Sequence, residues 1–151
     1  MTYAHLNPVA EDDDDNPFNY EYERQKVLNK RLAAYVRLGD HVMLVRQIAL
    51  GTDVRVPREL PHLVLATYLG HMEIAELLLE AGADVDEMAR DKSPLLIAVE
   101  KSHLRLVLLL LRYGAYTGGR GMRRSPLMTA IWHGDKLIME RLISAGATVN
   151  D

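Results

Sequence analysis

The sequence predicts an all-α solenoid of four helix-turn-helix repeats with short loop or hairpin fingers, because three residue markers recur in one register. The first is a glycine that closes each unit: Gly51, Gly82, Gly114 and Gly146, at intervals of 31, 32 and 32 residues. The second is a turn residue 12 positions earlier: Gly39, Gly70, Ser102 and Gly134. The third is a small residue at Ala66, Ala98 and Ala130, with Tyr35 in the first unit. A unit of about 32 residues cannot bury its apolar face alone, so such units stack into a solenoid, an architecture used mostly to bind other macromolecules.

Each element follows from its own residues. Asn16-Pro17 predicts the first helix start, with Asn as cap and Pro in the first turn, and Val27, Leu28, Leu32 and Tyr35 continue at helical spacing. Further helices are expected over residues 61–69 and 72–81, then 94–101 and 104–113, then 126–133 and 136–145. Ser93-Pro94 and Ser125-Pro126 each place a capping hydroxyl before a proline. Gly82, Gly114 and Gly146 stand where a helix end needs a left-handed residue. The small side chains at 66, 98 and 130 allow close approach of neighbouring units.

The chain divides into an acidic extension, 1–26, and a repeat domain, 27–151. Residues 1–16 combine an acidic run, Glu11 to Asp15, with too few large apolar groups to offset the entropy of ordering. In the first 25 residues seven carboxylates face Arg24 alone, a charge of −6, so the rest carries +3 of the overall −3. Phe18, Tyr20 and Tyr22 are expected to cap the open end of the first repeat. The chain has no cysteine, which excludes thiolate nucleophiles and disulfides and fits a reducing compartment. The first residues lack a basic region followed by an apolar core, and the longest apolar run, 106–111, is six residues. A soluble, cytoplasmic protein with no membrane contact is the expectation.

The units resemble the ankyrin repeat. Ser93-Pro94-Leu95-Leu96-Ile97-Ala98 and Ser125-Pro126-Leu127-Met128-Thr129-Ala130 are similar to the family's Thr-Pro-Leu-His-x-Ala helix start. Gly70-His71-Met72-Glu73-Ile74-Ala75-Glu76-Leu77-Leu78-Leu79 and Gly82-Ala83-Asp84-Val85-Asp86 match its second helix and closing turn. The likeness covers about residues 28–151. Pro61-His62 departs from the family's Thr-Pro, Val64, Leu96 and Met128 replace its histidine, and the first unit has Lys30-Arg31-Leu32 with no start motif.

The resemblance implies recognition of another protein, with no cofactor, on a groove built by the two residues before each mid-repeat turn. Those are Arg37 and Leu38, Tyr68 and Leu69, Glu100 and Lys101, and Trp132 and His133. Loop tips add Arg58, Met88, Arg90, Arg120, Arg123 and Arg124. Trp132 could equally serve as an interface anchor or as a core residue. The glycine-rich segment 117–124 lacks the Gly-Lys-Ser/Thr of a phosphate cradle and reads as a flexible loop tip or as a basic finger for an acidic partner. In the implied geometry Leu104 and Leu108 face outward, a docking patch or a dimer contact on an otherwise monomeric protein.

Other functions are less well served by these residues. His71 and His103 occupy one repeat position, which points to folding, and no His-x-x-x-His spacing supports a metal. His133-Gly134-Asp135 pairs a base with a carboxylate, but no motif brings a nucleophile to them, so the chain reads as non-enzymatic. A body charge of +3 with no basic stripe argues against nucleic acid. An inhibitor or adaptor that covers a partner's surface is the leading expectation, for example an immunity-type protein against a cytosolic toxin. A scaffold or regulatory protein acting through its acidic arm is the alternative.

Overall fold

A computed structural model describes residues 17–55 and 60–150. Eight helices lie among them: α1 (Pro17–Leu38), α2 (His41–Ala49), α3 (His62–Leu69), α4 (Met72–Glu80), α5 (Pro94–Glu100), α6 (Leu104–Arg112), α7 (Pro126–His133) and α8 (Lys136–Ser144). They form four antiparallel pairs in two layers. The first helices pack in the order α1, α3, α5, α7, and the second helices α2, α4, α6, α8 form the layer behind. The acidic run 11–15, Asn16, Arg58 and the side chain of Phe18 lie outside the described residues.

Local chemistry places the helix ends. Ser93 Oγ accepts from the Leu96 amide at 3.1 Å and Ser125 Oγ from the Met128 amide at 3.3 Å, each with proline in the first turn. At the far end of each first helix the residue after the turn donates its amide to the small-residue marker, as in His71 to Ala66 at 3.0 Å and His103 to Ala98 at 2.9 Å. That bond requires the intervening residue to be left-handed. Gly70 is, at φ 75°, and Ser102 adopts φ 54° in the same role.

The core lies between the layers. Leu44, Leu63, Ile74, Leu78, Leu95, Leu106, Leu110, Leu127 and Leu142 are all fully buried, each contributing about 1.5–3 kcal/mol relative to exposure. Ala66, Ala98 and Ala130 have no exposed surface, so the first helices meet where their side chains are smallest. A second, smaller cluster of Val64, Ala89 and Ile97 seats the finger after α4 on α3 and α5.

The shared repeat position of His71 and His103 has a physical cause. The His103 ring covers Gly70, where a Cβ would lie 3.1 Å from Cε1, and His71 covers Gly39 in the same way. The Arg37 carbonyl also accepts from His71 Nε2 at 3.4 Å. In the last repeat the equivalent residue is Asp135, and the turn residue it faces is Ser102, whose hydroxyl donates to Asp135 Oδ2 at 2.5 Å. Where the turn gains a hydroxyl, the ring gives way to an acceptor. Each such contact ties one repeat to the preceding one.

α1 runs without a break across position 26, because no cap or proline interrupts it. Two expectations are corrected. Tyr20 and Tyr22 are 70% and 67% exposed and cover no core. Leu104 does not face outward with Leu108: it packs partly buried against the main core, and only Leu108 is exposed. Residue 104 opens α6, where its side chain leans back toward the preceding turn.

Candidate functional site

A cavity of about 1240 Å³ opens on the first-helix layer between α1, α3, α5 and the finger. Its floor is aliphatic, formed by Val64, Leu65 and Ile97, with Leu60 at its side. Tyr68 and Leu69 form the wall, and Arg37, Arg90, Lys92 and Glu100 border it. Five residues singled out from the sequence therefore meet in one place: Arg37, Tyr68, Leu69, Arg90 and Glu100.

The finger that bounds this cavity is a true hairpin. Ala89 and Lys92 exchange both backbone hydrogen bonds at 3.0 Å. The two residues between them, Arg90 and Asp91, are left-handed at φ 48° and 61°. That is the geometry of a tight primed turn, made here without glycine, so Arg90 and Asp91 share its cost. Met88, just before it, is exposed. Nearby, burial pushes the Glu87 carboxyl above its usual range, and the Asp84 charge adds to that.

A repeated pair explains the differences along the groove. Residues 60, 92 and 124 stand eight positions before 68, 100 and 132. In the second repeat the pair is Leu60 and Tyr68. In the third it is an ion pair, Lys92 Nζ to Glu100 at 2.7 Å. In the fourth it is Arg124 stacked 4.9 Å from the centroid of Trp132. Trp132 is 74% exposed, which excludes the core role. Lys101 lies 4.4 Å over the Tyr68 ring in the same manner.

The glycine-rich tip has more order than its composition suggests. The Tyr116 amide donates to Asp86 Oδ1 at 2.8 Å, fixing the start of the loop to the preceding repeat. The Tyr116 ring covers Gly118, where a Cβ would lie 2.5 Å from the phenol oxygen, and Arg120 stacks on it at 4.7 Å. Arg123 and Arg124 are exposed beyond. Leu38 and His133 are also exposed, at the two ends of the groove and outside the cavity lining.

Leu60, Val64, Lys92 and Ile97 were missed by sequence reasoning. The eight-residue pairing within each repeat could have found Leu60 and Lys92. Val64 and Ile97 could not be told from ordinary core positions. Among the described residues no three histidine, aspartate or glutamate side chains gather to hold a metal. No helix among them is long and apolar enough to cross a membrane.

Residues 32–120 and 63–151 match the family profile of ankyrin repeats (3 copies). Together these spans take in most of the chain. No curated protein matches the sequence.

Proposed function

The chain belongs to the ankyrin-repeat family, and from that premise we propose that it is a non-catalytic inhibitor or adaptor. It works by covering a surface of a partner protein with the groove and the finger tips. The observation that carries this reading is the exposed pairing of rings and cations, Tyr68 with Lys101 and Trp132 with Arg124, along successive repeats. A tryptophan left 74% exposed is costly unless a partner covers it. Tryptophan and arginine are also the commonest anchors of protein interfaces.

In this reading residues 27–151 form the binding domain and 1–26 an acidic extension. The protein acts as a monomer in the cytoplasm. An immunity-type role, neutralising a cytosolic toxin, is the specific form that suits a small repeat domain with an exposed groove. The reading is tested on a partner isolated from the native cell. Trp132→Ala should weaken binding by about 2 kcal/mol, near thirtyfold. Arg123→Glu with Arg124→Glu should slow association and reduce its salt dependence. Circular dichroism should show the helices unchanged. Parent affinity in both variants would place the interface elsewhere.

A further inference from the structure

We infer that the groove takes an extended acidic segment of the partner, anchored by one large apolar side chain in the cavity between α3, α5 and the finger. This deepens the protein-binding reading and rests on it. Two independent observations converge: the charge along the groove and the chemistry of the cavity floor.

The groove is rich in cations and poor in carboxylates: Arg37, Arg90 and Lys92 line the cavity with Glu100 as its one acidic lining residue. In the groove only Lys92 is neutralised, by Glu100. Among the described residues Arg37, Arg90, Lys101, Arg120, Arg123 and Arg124 have no carboxylate within 4.0 Å. Three of these six rest on aromatic faces instead. A guanidinium stacked on a ring keeps its N–H groups free at the edge, already oriented for a carboxylate. The contrast between Lys92–Glu100 and Arg124–Trp132, at the same repeat positions, shows a cation matched in one unit and left open in the next.

The floor selects against a bare polyanion. Val64 and Ile97 are 2% and 5% exposed and, with Leu60 and Leu65, make the floor aliphatic, while the Tyr68 ring on the wall is already taken by Lys101. A branched or aromatic side chain buried on that floor, with aspartates or glutamates on either side reaching Arg37, Arg90 and Lys101, satisfies both features at once.

The full chain is titrated into fluorescent peptides of about a dozen residues, the size of a groove-bound segment. One peptide is rich in Asp and Glu around a central Leu. Its counterparts carry Asn and Gln for the acids, or Ser for the Leu. The anchored acidic peptide should bind at least ~10-fold tighter than either counterpart, and more salt should narrow the gap to the amide peptide. Arg37→Glu with Arg90→Glu should abolish the preference for acids, whereas Arg37→Lys with Arg90→Lys should retain it. Equal binding of acidic and amide peptides overturns the inference. So does tighter binding of a single-stranded oligonucleotide. A rise in peptide affinity on deleting residues 1–15 also overturns it, because the chain's own acidic arm would then be the occupant. If the isolated partner responds to Trp132→Ala while the peptides show no charge preference, this inference falls and the protein-binding reading stands. A partner indifferent to Trp132 and to the finger arginines removes that reading instead.

Discussion

The first and third repeats share a register but hold it by different means. In the third, Ser93 caps the first helix, Pro94 fixes its first turn, and every residue from 94 to 99 is buried. In the first repeat no cap and proline stand at the corresponding place, and α1 continues back to Pro17. The interiors differ as well. Leu78, Leu110 and Leu142 fill one fully buried position, with Ala83, Ala115 and Ala147 five residues on. The first repeat has Gln47 and Thr52 there, both buried, and Gln47 Nε2 donates to Thr52 Oγ1 at 3.1 Å. Thr52 in turn donates to the Gln47 carbonyl at 2.9 Å. The spacing of small and apolar residues decides where helices pack, and the caps decide where they begin. A polar pair can replace an apolar one in an end repeat when its groups satisfy each other.

The sharpest way to break this comparison is at the small-residue marker. Ala98→Arg should cost more than ~3 kcal/mol, since it overpacks a site with no free surface and buries a charge. Tyr35→Arg, at the matching but only partly buried position of the first repeat, should cost about 1 kcal/mol. Thermal melts read both, and near-equal losses would mean that the register is wrong.

Next in size is the polar pair. Thr52→Ala should cost ~1–3 kcal/mol because it leaves the Gln47 amide buried without its acceptor. Adding Gln47→Leu should recover most of that loss. Urea denaturation of the two single variants and the double variant measures the coupling, and strict additivity would refute it.

Smaller effects sharpen the capping and finger arguments. Ser93→Ala should lose ~1 kcal/mol. Asp91→Gly should stabilise the hairpin by up to ~1 kcal/mol, because glycine adopts the left-handed conformation without penalty. The smallest effect concerns Glu87, whose folded pKa is raised by burial and by Asp84. The folded state therefore holds that proton more tightly than the unfolded chain, and stability from it is lost as pH rises through the folded value. Glu87→Gln should melt slightly higher than the parent at neutral pH, with the difference disappearing in acid. An unchanged gap across that range would refute the assignment.

The helices from α3 to α8 were legible to within a residue or two at each end, because their caps, prolines and closing glycines act over a few residues of chain. The start of α1 at Pro17 was legible for the same reason. Five of the groove and finger positions named from the sequence line one cavity, because repeat register brings 37, 68, 69, 90 and 100 to one side. Hairpin fingers were expected at the loop tips, but Arg90 and Asp91 did not mark where the chain turns, since a primed turn is usually announced by glycine or asparagine. Leu104 looked exposed in an idealised repeat and is not, because at the start of α6 its side chain leans back over the preceding turn onto the core.

The sequence by itself determined the repeat length, the helix boundaries and the side of the stack on which the groove lies, all consequences of periodicity and local backbone chemistry. Tertiary structure alone decided which cations stay unmatched, which ring covers which glycine, and that Ser102 meets Asp135. The last two depend on ångström-scale distances between residues about 32 positions apart. No local propensity encodes such distances; they are set only when neighbouring repeats have packed.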